Sequence, residues 1–455
     1  MFEYSDAIRQ FIIAHQAEML EKLRTLVNLE GHFYERARVE AARDWYQREL
    51  EAEGFLCSVL SLTPDERAGI LVAESGSGKD QKPVLFTGHI DTMHYAGSFG
   101  NSAPFYVEDG IAYGPGVYDS KGGLIIALYV IKALNALGLN SRPIKMIITG
   151  DEEYDHIDND AVAIQQEQAR GALCDFHMSC GVSDYLITAR KSQDTYFIET
   201  NADGGHAGNE FWEKTNALHE ILPKLSKIVE LTDREKDTTV SVTALHSGAH
   251  WSSIPSRAEA WLDVRYLDDS EAQRVNHRIH EIASQAIYPG TRTVIKLQQA
   301  KQKALQETDN VRTLFDFLNL AAVRCGYLPY RKILRGGVND SGTIQKAGIP
   351  TIDGCGINGK NGHHITEQAI VQSMYDKAIV LAAAIAESDY LERMLDERDA
   401  LILRMYYGLG GYTAMSLEEI GDRVGLTSER VRQIKSKAIK RLKNSCRSKR
   451  LKTYL

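Results

Sequence analysis

Several histidines and carboxylates are spaced as if to share a metal ion. In "FTGHIDT", His89 and Asp91 stand two apart at the end of an apolar run, so in an extended strand both project the same way. That spacing suits an imidazole ligand and a carboxylate that orients it. Asp119 lies on the glycine-rich turn "GPGVYDSKGG", where a carboxylate can reach a cation. Glu152 and Glu153 close "ITGDEE"; adjacent side chains point apart, so one can bind metal while the other faces water as a general base. A histidine pair, His363 and His364, comes late in "GCGINGKNGHHITEQ". A lone histidine or strand-end acid is more often structural. Several such residues at the ends of successive strands imply a binuclear zinc-type hydrolytic centre.

The elements that must hold these residues are legible. "VLFTGHIDT" (84–92) and "PIKMIITG" (143–150) are short apolar runs that stop at or near glycine. Helix-like sequence follows, as in "KGGLIIALYVIKALNALG" (121–138). Strand–loop–helix alternation predicts a parallel α/β sheet with its active loops at the strands' carboxyl ends. From about 190 the pattern changes. "QDTYFIETNA", "TTVSVTALHS" and "RAEAWLDVRYL" alternate like antiparallel strands with one exposed face, and helices are expected at 214–231 and 270–287. This is an α+β insertion. Helix and strand alternate again over 309–388, and the join near 389 reads as a charged helix.

Composition narrows the class. The chain has 455 residues, 43 % of them hydrophobic, enough for two or three cored domains. No apolar run reaches the ~18 residues of a membrane span. The N-terminal stretch "MFEYSDAIRQFIIAHQAEMLEKLRTLV" carries scattered acids and reads as an amphipathic surface helix, not a signal peptide. Six dispersed cysteines (Cys57, Cys174, Cys180, Cys325, Cys355, Cys446) form no CxxC pair, so a cytoplasmic protein without disulfides is expected. Charge is uneven: residues 389–455 hold 15 Lys/Arg against 9 Asp/Glu, while the rest holds 38 against 52. An acidic body with a basic tail implies two domains with different partners.

Residues 1–388 resemble the zinc carboxypeptidase and aminoacylase family, closest to its glutamate carboxypeptidase-like branch. "GHIDT", "GPGVYDSKGG", "GDEE", "GGHAGNEFWEKTNAL", "IPSRAEAWLDVRY" and "RGGVNDSGTIQKAGIPTIDGCGINGKNGHH" carry the resemblance, in family order. It implies a catalytic α/β domain interrupted by a ferredoxin-like α+β lid that commonly mediates dimerisation. It implies two zinc ions per chain, with His89 binding one, Asp119 bridging both and Glu153 binding the other. Asp91 orients His89, and Glu152 is the base for the attacking water. His363 fits the last ligand better than His364. His206 matches a lid histidine that steadies the oxyanion, often from a partner subunit, and Arg265 matches a lid arginine near a substrate carboxylate. Two positions depart from the family. Gly181 stands where a metal-binding Glu is usual, leaving Cys180, Asp184 or a missing second metal as alternatives. Ser252 replaces an Asn before "IP".

The tail divides cleanly. Ser416 and Glu419 form a capping box, Gly425 closes a short helix, and Thr427 caps a second from about Ser428. That layout is helix-turn-helix, with Arg430, Arg432 and Gln433 as groove readers and later bases suited to phosphates. From about 391 the chain resembles region 4 of primary sigma factors, through "ERDALILRMYYGL", "SLEEIG" and "ERVRQI". This resemblance implies contacts with −35 promoter DNA and RNA polymerase. Ser428 replaces an Arg often found there, which weakens one expected contact. The expected organisation is a catalytic domain at 1–184 and 303–388, a lid at 185–302 and an all-α helix-turn-helix domain at 389–455. The leading function is hydrolysis of a terminal peptide or N-acyl amino acid bond, in a homodimer off the membrane. The alternative is a transcription-associated DNA- or polymerase-binding protein on a weakened hydrolase scaffold.

Overall fold

The computed structural model describes residues 3–76, 81–100, 104–300, 303–408, 412–424 and 426–444. The chain divides into two compact units, Met1–Ala386 and Glu387–Leu455. No helix among the described residues is long and apolar enough to cross a membrane.

The larger unit is built on a six-stranded sheet ordered Phe55–Leu60, Ala68–Ser75, Ile144–Gly150, Val84–His89, Cys174–His177, Thr351–Ile352. The last four strands pair in parallel, and the first two enter antiparallel. The antiparallel edge departs from a purely parallel expectation. Only a short connection joins Phe55–Leu60 to Ala68–Ser75, too short for the crossover that a parallel pair needs. Val84–His89 is buried along its whole length, as a central strand covered on both faces should be. The helix Gly122–Ala136 is apolar nearly all round and almost wholly buried, as is Val371–Ala386. Gly123 lets the first of these start against the end of the third parallel strand, because a Cβ there would collide with the Met178 carbonyl. The N-terminal stretch forms two helices, Ser5–Ala14 and Gln16–Asn28, burying Ile8, Ile12, Met19 and Leu23 on one face.

The inserted sheet has the order Thr239–Ser247, Arg257–Tyr266, Ser192–Asn201, Arg292–Ala300, all antiparallel. Ser192–Asn201 and Arg257–Tyr266 alternate buried and partly exposed residues with period two, as a sheet covered on one face requires. Helices Ala217–Val229 and Asp269–Ser284 cover that face, and Ile221, Leu225, Val275 and Ile279 pack on Tyr196, Ile198, Leu262 and Val264. The β-α-β-β-α-β order is ferredoxin-like. Asn216 and Asp268 start the helices by accepting backbone N–H groups with their side chains. The strand Tyr185–Arg190 instead pairs in parallel with Arg331–Arg335, so the inserted sheet starts at Ser192.

The smaller unit contains helices Ser388–Tyr407, Leu417–Val424 and Ser428–Asn444 around Ile402, Met405, Ile420 and Val431. Its capping box forms: Ser416 N–H donates to Glu419 Oε2 at 2.7 Å, and Glu419 N–H to Ser416 Oγ at 3.2 Å. Thr427 Oγ1 accepts the Arg430 N–H at 3.2 Å, capping the second helix of the pair. Gly425 and the basic residues Arg447, Lys449, Arg450 and Lys452 lie outside the described residues.

Candidate metal centre

His89 ends its strand, Glu152 and Glu153 follow the neighbouring strand on a short 3-10 turn, and Asp119 sits on the turn that leads into Gly122–Ala136. They meet in a cleft of about 950 Å3 at the carboxyl ends of the parallel strands. Donor atoms of His89, Asp119 and Glu153 lie within 4.8 Å of one another. His89 Nε2 is 3.1 Å from Asp119 Oδ1 and 3.9 Å from Glu152 Oε2. His363 Nε2 approaches the other Asp119 oxygen at 3.4 Å and Glu153 Oε2 at 3.1 Å. Asp119 therefore offers one oxygen to each histidine. His364 turns away and pairs with Thr366 Oγ1 at 2.8 Å.

The Asp91 carboxylate lies 3.4 Å from His89 Nδ1 and accepts the Glu153 N–H at 3.0 Å, tying two strand ends together. Asp91 Oδ1 and Glu153 Oε1 are buried and make no hydrogen bond within the described residues. Asp91 Oδ1 faces His89 Nδ1, away from the other donors, whereas the Glu153 oxygen, buried beside two imidazoles, fits a bound cation. The electrostatics agree. Burial opposes charge on His89, but Glu152, Asp119 and Asp91 hold its pKa well above the ordinary value. Hydrogen bonds to Asp119 and Glu153 raise His363 to about 11. Burial pushes the Glu152 carboxyl well up, and pushes Glu153 up to about 7 against the pull of His363. Burial works the same way on Asp119, but His363 and His89 outweigh it and depress that carboxyl. Two imidazoles stand here where cations would.

Arg265 reaches the cleft from the inserted domain, with its Nη1 donating to the Gly336 carbonyl at 2.7 Å and its Nε to Asp263 at 2.9 Å. Arg190, Arg335 and Lys360 also line the cleft. Arg190 is bound to buried Asp353, whereas Arg335 and Lys360 have no ion-pair partner among the described residues. His206 is exposed outside the cleft lining, its Nδ1 accepting the Gly208 and Asn209 N–H groups. Ser252 is near it in the fold, its carbonyl accepting the Ala207 N–H.

Gly181 has no side chain to supply a donor, and a Cβ there would collide with Lys377 Nζ, the Gly356 carbonyl and Asn358. Asp184 is drawn off by Arg331 at 2.9 and 3.0 Å and does not line the cleft. Cys180 does line it.

Three supporting groups escape the motif reading. Buried Glu367 accepts the N–H groups of Gly116, Tyr118 and Asp119 at 2.8–3.0 Å and pairs with His94 at 2.9 Å. His156 bridges Asp151 and Asp340 at 2.8 and 2.7 Å. Asp353 collects Arg190, Asn339 and Ser179. Glu367 lies four residues past His363 in the same motif, the one local signal available for it.

In the smaller unit, Arg430, Arg432 and Gln433 are exposed on Ser428–Asn444. Arg432 holds Glu429 in a two-pronged pair at 2.7 Å, and Arg430 donates to Gln433 at 3.1 Å.

Residues 85–387 match the model of peptidase family M20/M25/M40, and the chain belongs to that family. Its larger unit is a metallopeptidase-type, carboxypeptidase-like hydrolase. Residues 393–444 match sigma-70 region 4. Carboxypeptidase G2 of Pseudomonas sp. is 25 % identical over 380 residues, covering 81 % of this chain and 89 % of that protein. The RNA polymerase sigma factor SigA of Bacillus sp. is 44 % identical over 70 residues, covering 15 % of this chain and 19 % of that protein. The solved structure of a Staphylococcus aureus tripeptidase superposes with a TM-score of 0.70 at 17 % identity, covering 83 % of this chain and 99 % of that one.

Proposed function

We propose that the larger unit removes a terminal residue, or an N-acyl group, from a small substrate that carries a free carboxylate, using two zinc ions. The observation that carries this reading is the sharing of Asp119 between His89 on one side and His363 with Glu153 on the other. His89 and Asp119 would hold one ion; Asp119, Glu153 and His363 would hold the second. When bound, the ions supply Lewis acidity to the scissile carbonyl and to the attacking water. Glu152, beside His89 and kept out of the ligand set, takes the proton of that water and returns it to the leaving nitrogen. Asp91 fixes the His89 ring, and Arg265, Arg335 and Lys360 offer charge to the substrate carboxylate. His206 is exposed and outside the cleft lining, which supports a homodimer in which a second copy brings it to the oxyanion.

Glu152→Gln tests the assignment. It is expected to keep its metal and lose turnover by roughly 10²–10⁴-fold on short peptides or N-acyl amino acids. Wild-type turnover by that variant removes the role.

A second reading rests on Gly181, which has no room for the usual carboxylate. In that reading the larger unit is a weakened scaffold and the sigma-like unit, through Arg430, Arg432 and Gln433, brings it to promoter DNA or RNA polymerase. Metal content separates the two. Two zinc ions per chain with hydrolysis supports the enzyme; one or none, without turnover, supports the scaffold.

A further inference from the structure

The donors around Asp119 are unevenly divided. On the His363 side, Asp119 Oδ2, Glu153 and His363 supply three ligand atoms. On the His89 side, His89 and Asp119 Oδ1 meet at 3.1 Å; Glu153 also comes within 4.8 Å of them but is engaged by His363, and Glu152 is needed as a base. A protein zinc site ordinarily takes at least three protein donors. Among the described residues that line the cleft, the other His, Cys, Asp or Glu side chains are Asp155 and Cys180.

Cys180 is positioned for the task. It lies three residues past the strand Cys174–His177, which is hydrogen-bonded to the one that ends at His89, so both residues emerge at the carboxyl ends of neighbouring strands. Its Sγ lies 3.8 Å from the carbonyl of Tyr118, the residue next to Asp119, and lines the same cleft as the Asp119 side chain. Gly181 and Asp184 are both removed from contention by their surroundings. The same cleft contains the buried, unbonded Glu153 Oε1, an independent sign of a cation position.

We propose that Cys180 is the missing ligand: its thiolate completes a His89–Asp119–Cys180 position, beside an Asp119–Glu153–His363 position made only of nitrogen and oxygen. The proposal rests on the two-metal reading above and deepens it. It makes the pair chemically unequal, since thiolate selects soft ions and the all-N/O side does not. Binding at the His89 side releases the thiol proton to solvent as the S–metal bond forms. Tyr118, whose hydroxyl donates to the Gly181 carbonyl at 3.1 Å, fixes the wall behind the sulfur.

Cobalt reports this directly. The full chain, stripped with a chelator and reloaded with Co2+, is expected to show a near-ultraviolet thiolate-to-cobalt charge-transfer band. Cys180→Ser should lose the whole band. Cys180→Asp should also lose it while keeping the wild-type cobalt content, and should shift preference from Cd2+ toward Mn2+; this variant shows that the fold survives. A band that persists in either variant overturns the assignment, because the sulfur is then another cysteine. Wild-type protein that binds cobalt without a band also overturns it, placing Asp155 or solvent at the third position while leaving the two-metal hydrolase intact. Wild-type protein that binds no cobalt overturns both readings together.

Discussion

The Glu367 carboxylate accepts the backbone N–H of Asp119 at 2.9 Å, across 248 residues of chain. The same carboxylate accepts the Gly116 and Tyr118 N–H groups, so one buried anion sets the turn that aims the shared Asp119. Glu367→Gln keeps the volume but turns one acceptor into a donor facing N–H groups. Zinc affinity, measured by chelator competition, is expected to fall by roughly 10–100-fold, the usual cost of losing a group that orients a ligand. Unchanged affinity would mean that the turn holds its shape without Glu367.

Among the described residues, Arg335 and Lys360 face the cleft without ion pairs, unlike Arg190 and Arg265, whose charges are answered by Asp353 and Asp263. Free cations are available to a substrate carboxylate at no cost in broken pairs. Arg335→Ala is expected to raise KM for carboxylate-bearing substrates with kcat nearly unchanged, a loss of roughly 1.5–3 kcal/mol if the contact is a charged hydrogen bond. The matching amide substrate, which lacks the charge, should be indifferent to the substitution. An equal effect on acid and amide would exclude carboxylate recognition by Arg335.

The five residues that the motifs single out, His89, Asp119, Glu152, Glu153 and His363, converge because each follows a strand end or a glycine-rich turn, features with a local signature. The alternation of Ser192–Asn201 and Arg257–Tyr266 made the inserted sheet equally readable. What the sequence concealed depends on distant packing. Nothing near Asp353 announces that Arg190, 163 residues earlier, will be folded onto it. Tyr185–Arg190 falls within the span expected for the insertion, and only its pairing with Arg331–Arg335 assigns it to the body. The gap at Gly181 was visible in the sequence, but choosing between Cys180 and Asp184 required seeing Arg331 hold the latter.

Glu271 gives the inserted domain a dependence on acid. Arg274 depresses its carboxyl first of all, and Lys236 and Thr238 add to the effect against partial burial, so its pKa falls to about 2 from the ordinary 4.5. A depressed carboxylate contributes stability above its unfolded pKa, and that contribution fades as pH drops from about 4.5 toward 2. The full contribution is on the order of 2 kcal/mol. Glu271→Gln should therefore lower the melting temperature near neutrality and bring the wild-type and variant curves together in acid. Parallel curves across that window would show that Glu271 does not carry the dependence.

In the smaller unit, Glu429 occupies Arg432 and Gln433, two of the three residues expected to read bases. The Glu429–Arg432 pair is exposed, so by itself it contributes little to stability, yet any DNA that bound Arg432 would have to compete with it. If Arg432 reads a base, Arg432→Ala in the full chain should weaken a −35-like duplex by roughly 1–3 kcal/mol and a scrambled duplex much less. Glu429→Ala removes an anion from this helix and frees the guanidinium. Affinity for both duplexes should then rise and the salt dependence steepen, by about 0.9 in the log–log slope for each added phosphate contact. Fluorescence anisotropy titrations at several salt concentrations measure both effects. Equal losses on the two duplexes for Arg432→Ala would assign Arg432 to the phosphate backbone. An unchanged slope for Glu429→Ala would mean that the freed arginine meets no phosphate, leaving polymerase contact as the role of this helix.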